Sequence, residues 1–151
     1  MTMSQLPSVD EHATDIAAGV DDVWRILIDQ VDRMFSGTAI SAYGRIIGCA
    51  DRTAAGPRPL AEGSTMPGFR VDTAAPGAKL VLAGRHRFSS YALTFRIGPA
   101  APGHAWLRAE TRAEFPGVVG GAYRMLVIGS GGHALVVRRL LSVVKHRTES
   151  S

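Results

Sequence analysis

Apolar residues recur along this chain at two spacings, and the switches between them mark out its elements. From Ser8 to Ala17 the apolar Val9, Ala13 and Ile16 partly alternate with polar residues, which suits a first strand. Val23, Trp24, Leu27 and Ile28 then recur at helical spacing. Asp21 is placed to cap this helix, and Asp22 adds negative charge to its first turn. A second short helix is expected around 32–35, ending at Gly37. From residue 38 the punctuation becomes that of strands and turns. Strands are expected at 39–49, 66–73, 79–84, 89–97 and 104–115. Gly56, Pro57 and Pro59 mark a loop over 51–63, Ala75-Pro76-Gly77 a turn, and 99–103 another.

The last strand alternates most clearly. Trp106, Arg108, Glu110, Arg112 and Glu114 fall on one side; Ala105, Leu107, Ala109, Thr111, Ala113 and Phe115 fall on the other. One wet face and one buried face favour an antiparallel sheet. Pro116-Gly117 then breaks the strand. The run from Gly120 to Arg147 reads as one long helix, apolar for most of its length, with Gly129, Gly131, Gly132 and His133 in its middle. Glycine inside a helix costs about 1 kcal/mol relative to alanine, so this cluster is a local conflict of about 3 kcal/mol. Such conflicts mark places where another backbone or a ligand comes close. A strand meander with one apolar face needs a cover, and this helix is the only element long enough to supply it. The fold class is therefore α+β: about six antiparallel strands, two short helices after the first strand, and a long C-terminal helix. One domain is expected over 8–147, with loose ends at 1–7 and 148–151.

Composition adds limits rather than chemistry. At 151 residues, 46% hydrophobic and 20% charged, the chain fits one soluble globular domain with a real core. Cys49 is the sole cysteine, so no internal disulfide forms, and a reducing cytoplasm is expected. The first residues lack the basic-then-apolar order of a secretory signal. His133, Arg138 and Arg139 interrupt the C-terminal run before it reaches the ~20 apolar residues of a membrane span. Part of the net charge of +4 lies at the end, in Arg138, Arg139, Lys145, His146 and Arg147. Cations there complement a helix dipole, or could touch an acidic membrane surface weakly. Aromatics are only 7% of the chain and no RNA-reading or zinc motif is visible, so nucleic acid is not an expected partner.

The segment Asp15-Ile16-Ala17-Ala18-Gly19-Val20-Asp21-Asp22-Val23-Trp24-Arg25-Ile26-Leu27 resembles the first strand and first helix of the START-like superfamily. Glu110-Thr111-Arg112-Ala113-Glu114, followed by a turn and a long helix, is similar to the end of the same fold. This is the helix-grip fold of polyketide cyclases, lipid-transfer domains and the birch-pollen allergen group. The element order matches from about residue 8 to 146. Ala18-Gly19 stands where many relatives have Ala-Pro, and either pair makes a turn. The resemblance implies a curved antiparallel sheet gripping the C-terminal helix around an apolar cavity. It does not imply one reaction.

Within that frame, a helical wheel puts Leu126, Gly129, His133, Val136, Val137, Leu140 and Val144 on roughly one face. In a helix-grip fold that face meets the cavity, with Met125 and Val137 as apolar wall. There His133 would donate to a ligand carbonyl or act as a general base; otherwise it is a core histidine with one hydrogen bond. Gly129, Gly131 and Gly132 leave room for a ligand, a kink or a neighbouring backbone. Arg85-His86-Arg87 at a strand junction would attract an acidic ligand, or is an ordinary solvated turn. Tyr43, Arg70 and Tyr91 lie in strands where they could face a ligand or simply pack. No His or Cys spacing suggests a metal, and no cofactor motif is present. Gly129-Ser130-Gly131 is too short for a hydrolase elbow and sits in a helix.

Three functions fit these residues. The first is a binding module for a small hydrophobic or amphipathic ligand: a lipid, polyketide or aromatic metabolite. The second is an enzyme of the polyketide cyclase or dehydrase kind using the same cavity. The third is an interaction protein with a filled interior, pairing as a homodimer through the glycine-rich helix.

Overall fold

The chain enters its first strand, β1 (Ser8–Ile16), and turns through Ala17–Gly19 into α1 (Val20–Phe35). The computed structural model describes residues 6, 8–35, 55–66, 69–86, 89–114, 117 and 132–150. Five further strands follow: β2 (Thr65–Met66), β3 (Phe69–Ala75), β4 (Lys79–His86), β5 (Ser89–Pro99) and β6 (Ala105–Glu114). The last described element is α2 (Gly132–Glu149). No helix among the described residues is long and apolar enough to cross a membrane.

α1 is one helix of 16 residues. The expected break before residue 32 does not occur, because Val31 and Phe35 continue the buried spacing begun by Val23, Leu27 and Ile28. Residues 32–35 are its last turn. Asp21 lies inside the first turn beside Asp22 rather than at the cap; the first turn is closed by the Val23 N–H on the Gly19 carbonyl. The strand expected at 39–49 and the stop at Gly37 lie outside the described residues.

The strands form one antiparallel sheet in the order β1-β6-β5-β4-β3-β2. Strands β2 to β6 are a meander joined by turns at 76–78 and 101–103, and β1 adds itself beside β6. The stretch 66–73 is two strands, not one: Met66 pairs with Phe69 and Thr65 with Arg70. The alternation of β6 holds, with Ala105, Leu107, Ala109, Thr111 and Ala113 buried. Directly paired residues share a face, so Leu93, Phe95 and Ile97 of β5 join that inner side. Leu80 and Leu82 of β4 and Val71 of β3 extend it.

α2 lays a stripe of Val137, Leu140, Leu141, Val144 and Thr148 against this core. Val136, expected on the same face, is 44% exposed. At about 100° per residue it falls at the edge of the stripe, close to a quarter turn from its centre. The C-terminal end of α2 is fastened to the β1–α1 junction. Lys145 Nζ donates to the Asp15 carbonyl at 2.6 Å and to Glu149 Oε2 at 2.7 Å. The Ala17 N–H donates to the same Glu149 oxygen at 2.9 Å. Arg147 donates to Gln30 and Asp29 at 2.8 and 2.9 Å. Thr148 and Glu149 thus belong to the helix, past the boundary expected at 147. At the other end, Leu6 is buried and its carbonyl accepts from Arg112 at 3.0 Å, so it is not part of a loose terminus.

Candidate functional site

The inner face of the sheet is apolar near the fastened end of α2, where Ile16, Leu107, Ile97 and Phe95 are buried. Along β1 it turns polar. Side chains alternate on a strand, so Thr14, His12 and Asp10 share the side of Ile16. His12 stands opposite Ala109, and Asp10 opposite Thr111 after a bulge. His12 and Asp10 are 17% and 25% exposed in their side chains, and His12 Nε2 lies 3.3 Å from Asp10 Oδ2. A carboxylate only accepts, so His12 Nε2 carries the hydrogen of this contact. Thr111, 6% exposed, is one of few buried polar residues in the described core.

An aromatic run continues the inner face from β5 toward β3. Phe35 at the end of α1 tilts against Phe69 of β3 at 4.9 Å between ring centroids. Phe69 meets Tyr91 of β5 edge-on at 5.3 Å and 74°. Edge-to-face geometry sets the positive ring edge against the negative ring face. Tyr91 lies opposite Ala113 and Gly84, in line with Leu93, so it faces inward and is half-buried.

α2 runs alongside the patch. From the Lys145–Asp15 bond, Val137 is ~12 Å back along the helix and His12 ~10 Å back along β1. Val137 is 2% exposed. Residue 133 opens the helix one turn earlier, on the same side of its axis as Val137 and Leu140. The His133 side chain lies outside the described residues.

The other expected site residues divide clearly. Arg70 is exposed, with Phe69 and Val71 on either side of it turned to the core, so it points away from the inner face. His86 ends β4 opposite Ser89, but its side chain lies outside the described residues. So do Tyr43, Met125, Gly129 and Gly131, and with them the dimer seam. The Asp10–His12 pair and Thr111 are the residues that sequence reasoning missed. Their signal was parity: Asp10, His12 and Thr14 share the register of buried Ile16.

Perturbed ionisation sits elsewhere. The Glu149 carboxyl is held below its ordinary value by hydrogen bonds from Lys145 and the Ala17 N–H, at the fastened end of α2. Among the described residues no group of three His, Cys, Asp or Glu side chains could hold a metal ion.

No protein-family model matches the sequence, and a search of the curated proteins gives no match. Solved structures do match over nearly the whole chain. A conserved protein from Geobacillus kaustophilus is 16% identical, with 93% of this chain and 95% of that one covered at a TM-score of 0.56. CalU16 from Micromonospora echinospora is 13% identical over 92% and 82%, at 0.52. Ara h 8.0201 is 6% identical over 94% and 97%, at 0.56. At these identities the likeness concerns the course of the backbone, and it agrees with the strand order and the placement of α2. The chain has the helix-grip fold, an antiparallel sheet with a C-terminal helix against it.

Proposed function

We propose that the protein binds a small hydrophobic or amphipathic ligand, a lipid, polyketide or aromatic metabolite, between the inner face of its sheet and α2. The observation that carries this reading is the Asp10–His12–Thr111 patch set into an otherwise apolar face. Small-molecule sites are mostly apolar with a few convergent polar groups that fix orientation. The apolar remainder, with Leu93, Phe95 and Val137, suits a hydrocarbon or aromatic body. The fold supports the reading by analogy alone. Titration with Nile red, a neutral apolar dye, tests it: saturable, one-site fluorescence enhancement is expected. A linear or absent response, together with no co-purified small molecule in native mass spectra, would overturn it.

The Asp10–His12 pair also favours a second reading, an enzyme of the polyketide cyclase or dehydrase kind. An imidazole oriented by a carboxylate is suited to proton transfer beside a carbonyl. In that case the protein accelerates hydrogen exchange at the carbon next to the carbonyl of a bound aryl ketone in heavy water. His12→Gln abolishes the exchange while circular dichroism shows the fold retained. Equal exchange rates in both proteins would remove the enzyme reading and leave the binding reading standing.

A further inference from the structure

A concave region is lined by two helices and a loop, with no strand residue in its described lining. It is a groove of about 570 Å³ between α1, the 58–60 loop and the end of α2. Its charged lining is Arg25, Asp29, Asp32 and Arg33 from α1, with Arg58 and Arg147 facing them. Four guanidiniums against two carboxylates leave two positive charges in one groove.

The hydrogen bonds say which cations are already committed. Arg58 donates from Nε to Asp32 at 2.9 Å, from Nη1 to the Ala55 and Pro57 carbonyls at 3.0 Å, and from Nη2 to the Thr65 carbonyl at 2.9 Å. It pins the loop to α1. Arg147 joins α2 to α1 through Gln30 and Asp29. Arg25 and Arg33 differ. Their side chains are 62% and 69% exposed, and among the described residues each is paired along its own helix, to Asp22 at 3.6 Å and to Asp29 at 2.8 Å. Asp29 serves Arg33 and Arg147 through the same oxygen. Exposed pairs of this kind contribute little, about 0–1 kcal/mol, so a stronger anion displaces them readily. The two arginines stand ~12 Å apart along α1, and their long side chains can close on one group between them. Ile26, Ile28 and Leu60 give the groove an apolar floor.

We propose that this groove binds a compact, multiply charged oxyanion, a phosphoryl or polycarboxylate group, gripped by Arg25 and Arg33 above that floor. Planar guanidinium forks match such oxygens two at a time. The site is separate from the inner face of the sheet and does not depend on what binds there.

Inorganic pyrophosphate and citrate, titrated at low ionic strength while amide resonances are followed, test the proposal. Saturable shifts confined to 25–33 and 58–60 are expected, with pyrophosphate the tighter for a phosphoryl site and citrate for a polycarboxylate site. Arg25→Gln/Arg33→Gln should weaken binding by about ten-fold or more, since it removes both charge-assisted forks. Arg138→Gln/Arg139→Gln removes the same charge from the exposed side of α2 and should leave binding within about two-fold. Shifts spread over the whole surface, no saturation, or equal weakening in the two double variants would overturn it. The location of the shifts in the unaltered protein decides the question even if a variant folds poorly.

Discussion

His12 and Asp10 stand two residues apart on the inward side of β1, Nε2 against Oδ2 at 3.3 Å, with Ala109 and Thr111 of β6 directly opposite. A partly buried pair of this kind is costly to break from one side only. Asp10→Ala leaves the imidazole unpartnered and should cost about 1–3 kcal/mol in urea unfolding. His12→Leu/Asp10→Ala, apolar on an apolar face, should recover most of that loss. Additive losses in the two single variants and the double variant would show that the side chains do not interact.

Outside the sheet, Trp106 lies over Gly98. A Cβ at Gly98 would come within 2.2 Å of Trp106 Cζ2, a contact no real pair of atoms makes. The ring also carries the Arg108 guanidinium 5.2 Å from its centroid. Gly98→Ala must therefore displace the indole, at an expected cost of about 1–3 kcal/mol. On a Trp106→Ala background the same change should cost less than about 0.5 kcal/mol. Thermal or urea unfolding of the four proteins measures the difference.

The stripe on α2 separates neighbours that the helical wheel grouped together. Leu140, fully buried, should lose about 2–5 kcal/mol on replacement by alanine. Val136→Ala, at an exposed position, should stay within about 0.5 kcal/mol. Comparable losses at both positions would mean that α2 is rotated relative to the sheet.

Glu149 gives the fastening of α2 a pH dependence. Its folded-state ionisation is lowered by Lys145 and the Ala17 N–H, so its contribution is present above the ordinary carboxylate range. That contribution is lost as the pH falls through the lowered value. Glu149→Gln should therefore be less stable than the parent at neutral pH and draw level with it in acid. Urea midpoints at neutral and strongly acidic pH read this out; a gap that stays constant would show that the carboxylate charge is not involved.

How much of this was legible in the sequence depended on whether local spacing was enough. β6 and the body of α1 were readable because their burial follows one period, whereas the last turn of α1 reads from the sequence as a separate helix. The split between β2 and β3 was missed although Pro67-Gly68, a turn signal, sits inside the run. That error also misplaced Arg70, whose outward direction follows from counting off Phe69. The polar patch was missed for a different reason. β1 carries Asp10, His12 and Thr14 on its inner side, against the usual binary pattern, so its alternation looks weak. Only pairing with Ala109 and Thr111 shows which side they face, and that pairing spans about a hundred residues. The Phe35–Phe69–Tyr91 run is equally non-local.

The central claim is that a small apolar ligand lies between the inner face of the sheet and α2. Nuclear Overhauser effects from the ring protons of bound Nile red to side-chain methyl groups test it most directly. The account predicts contacts to Leu93, Thr111 and Val137, which share that interior. Contacts to Val81 and Thr94, which pair with each other on the opposite side of the sheet, would contradict it.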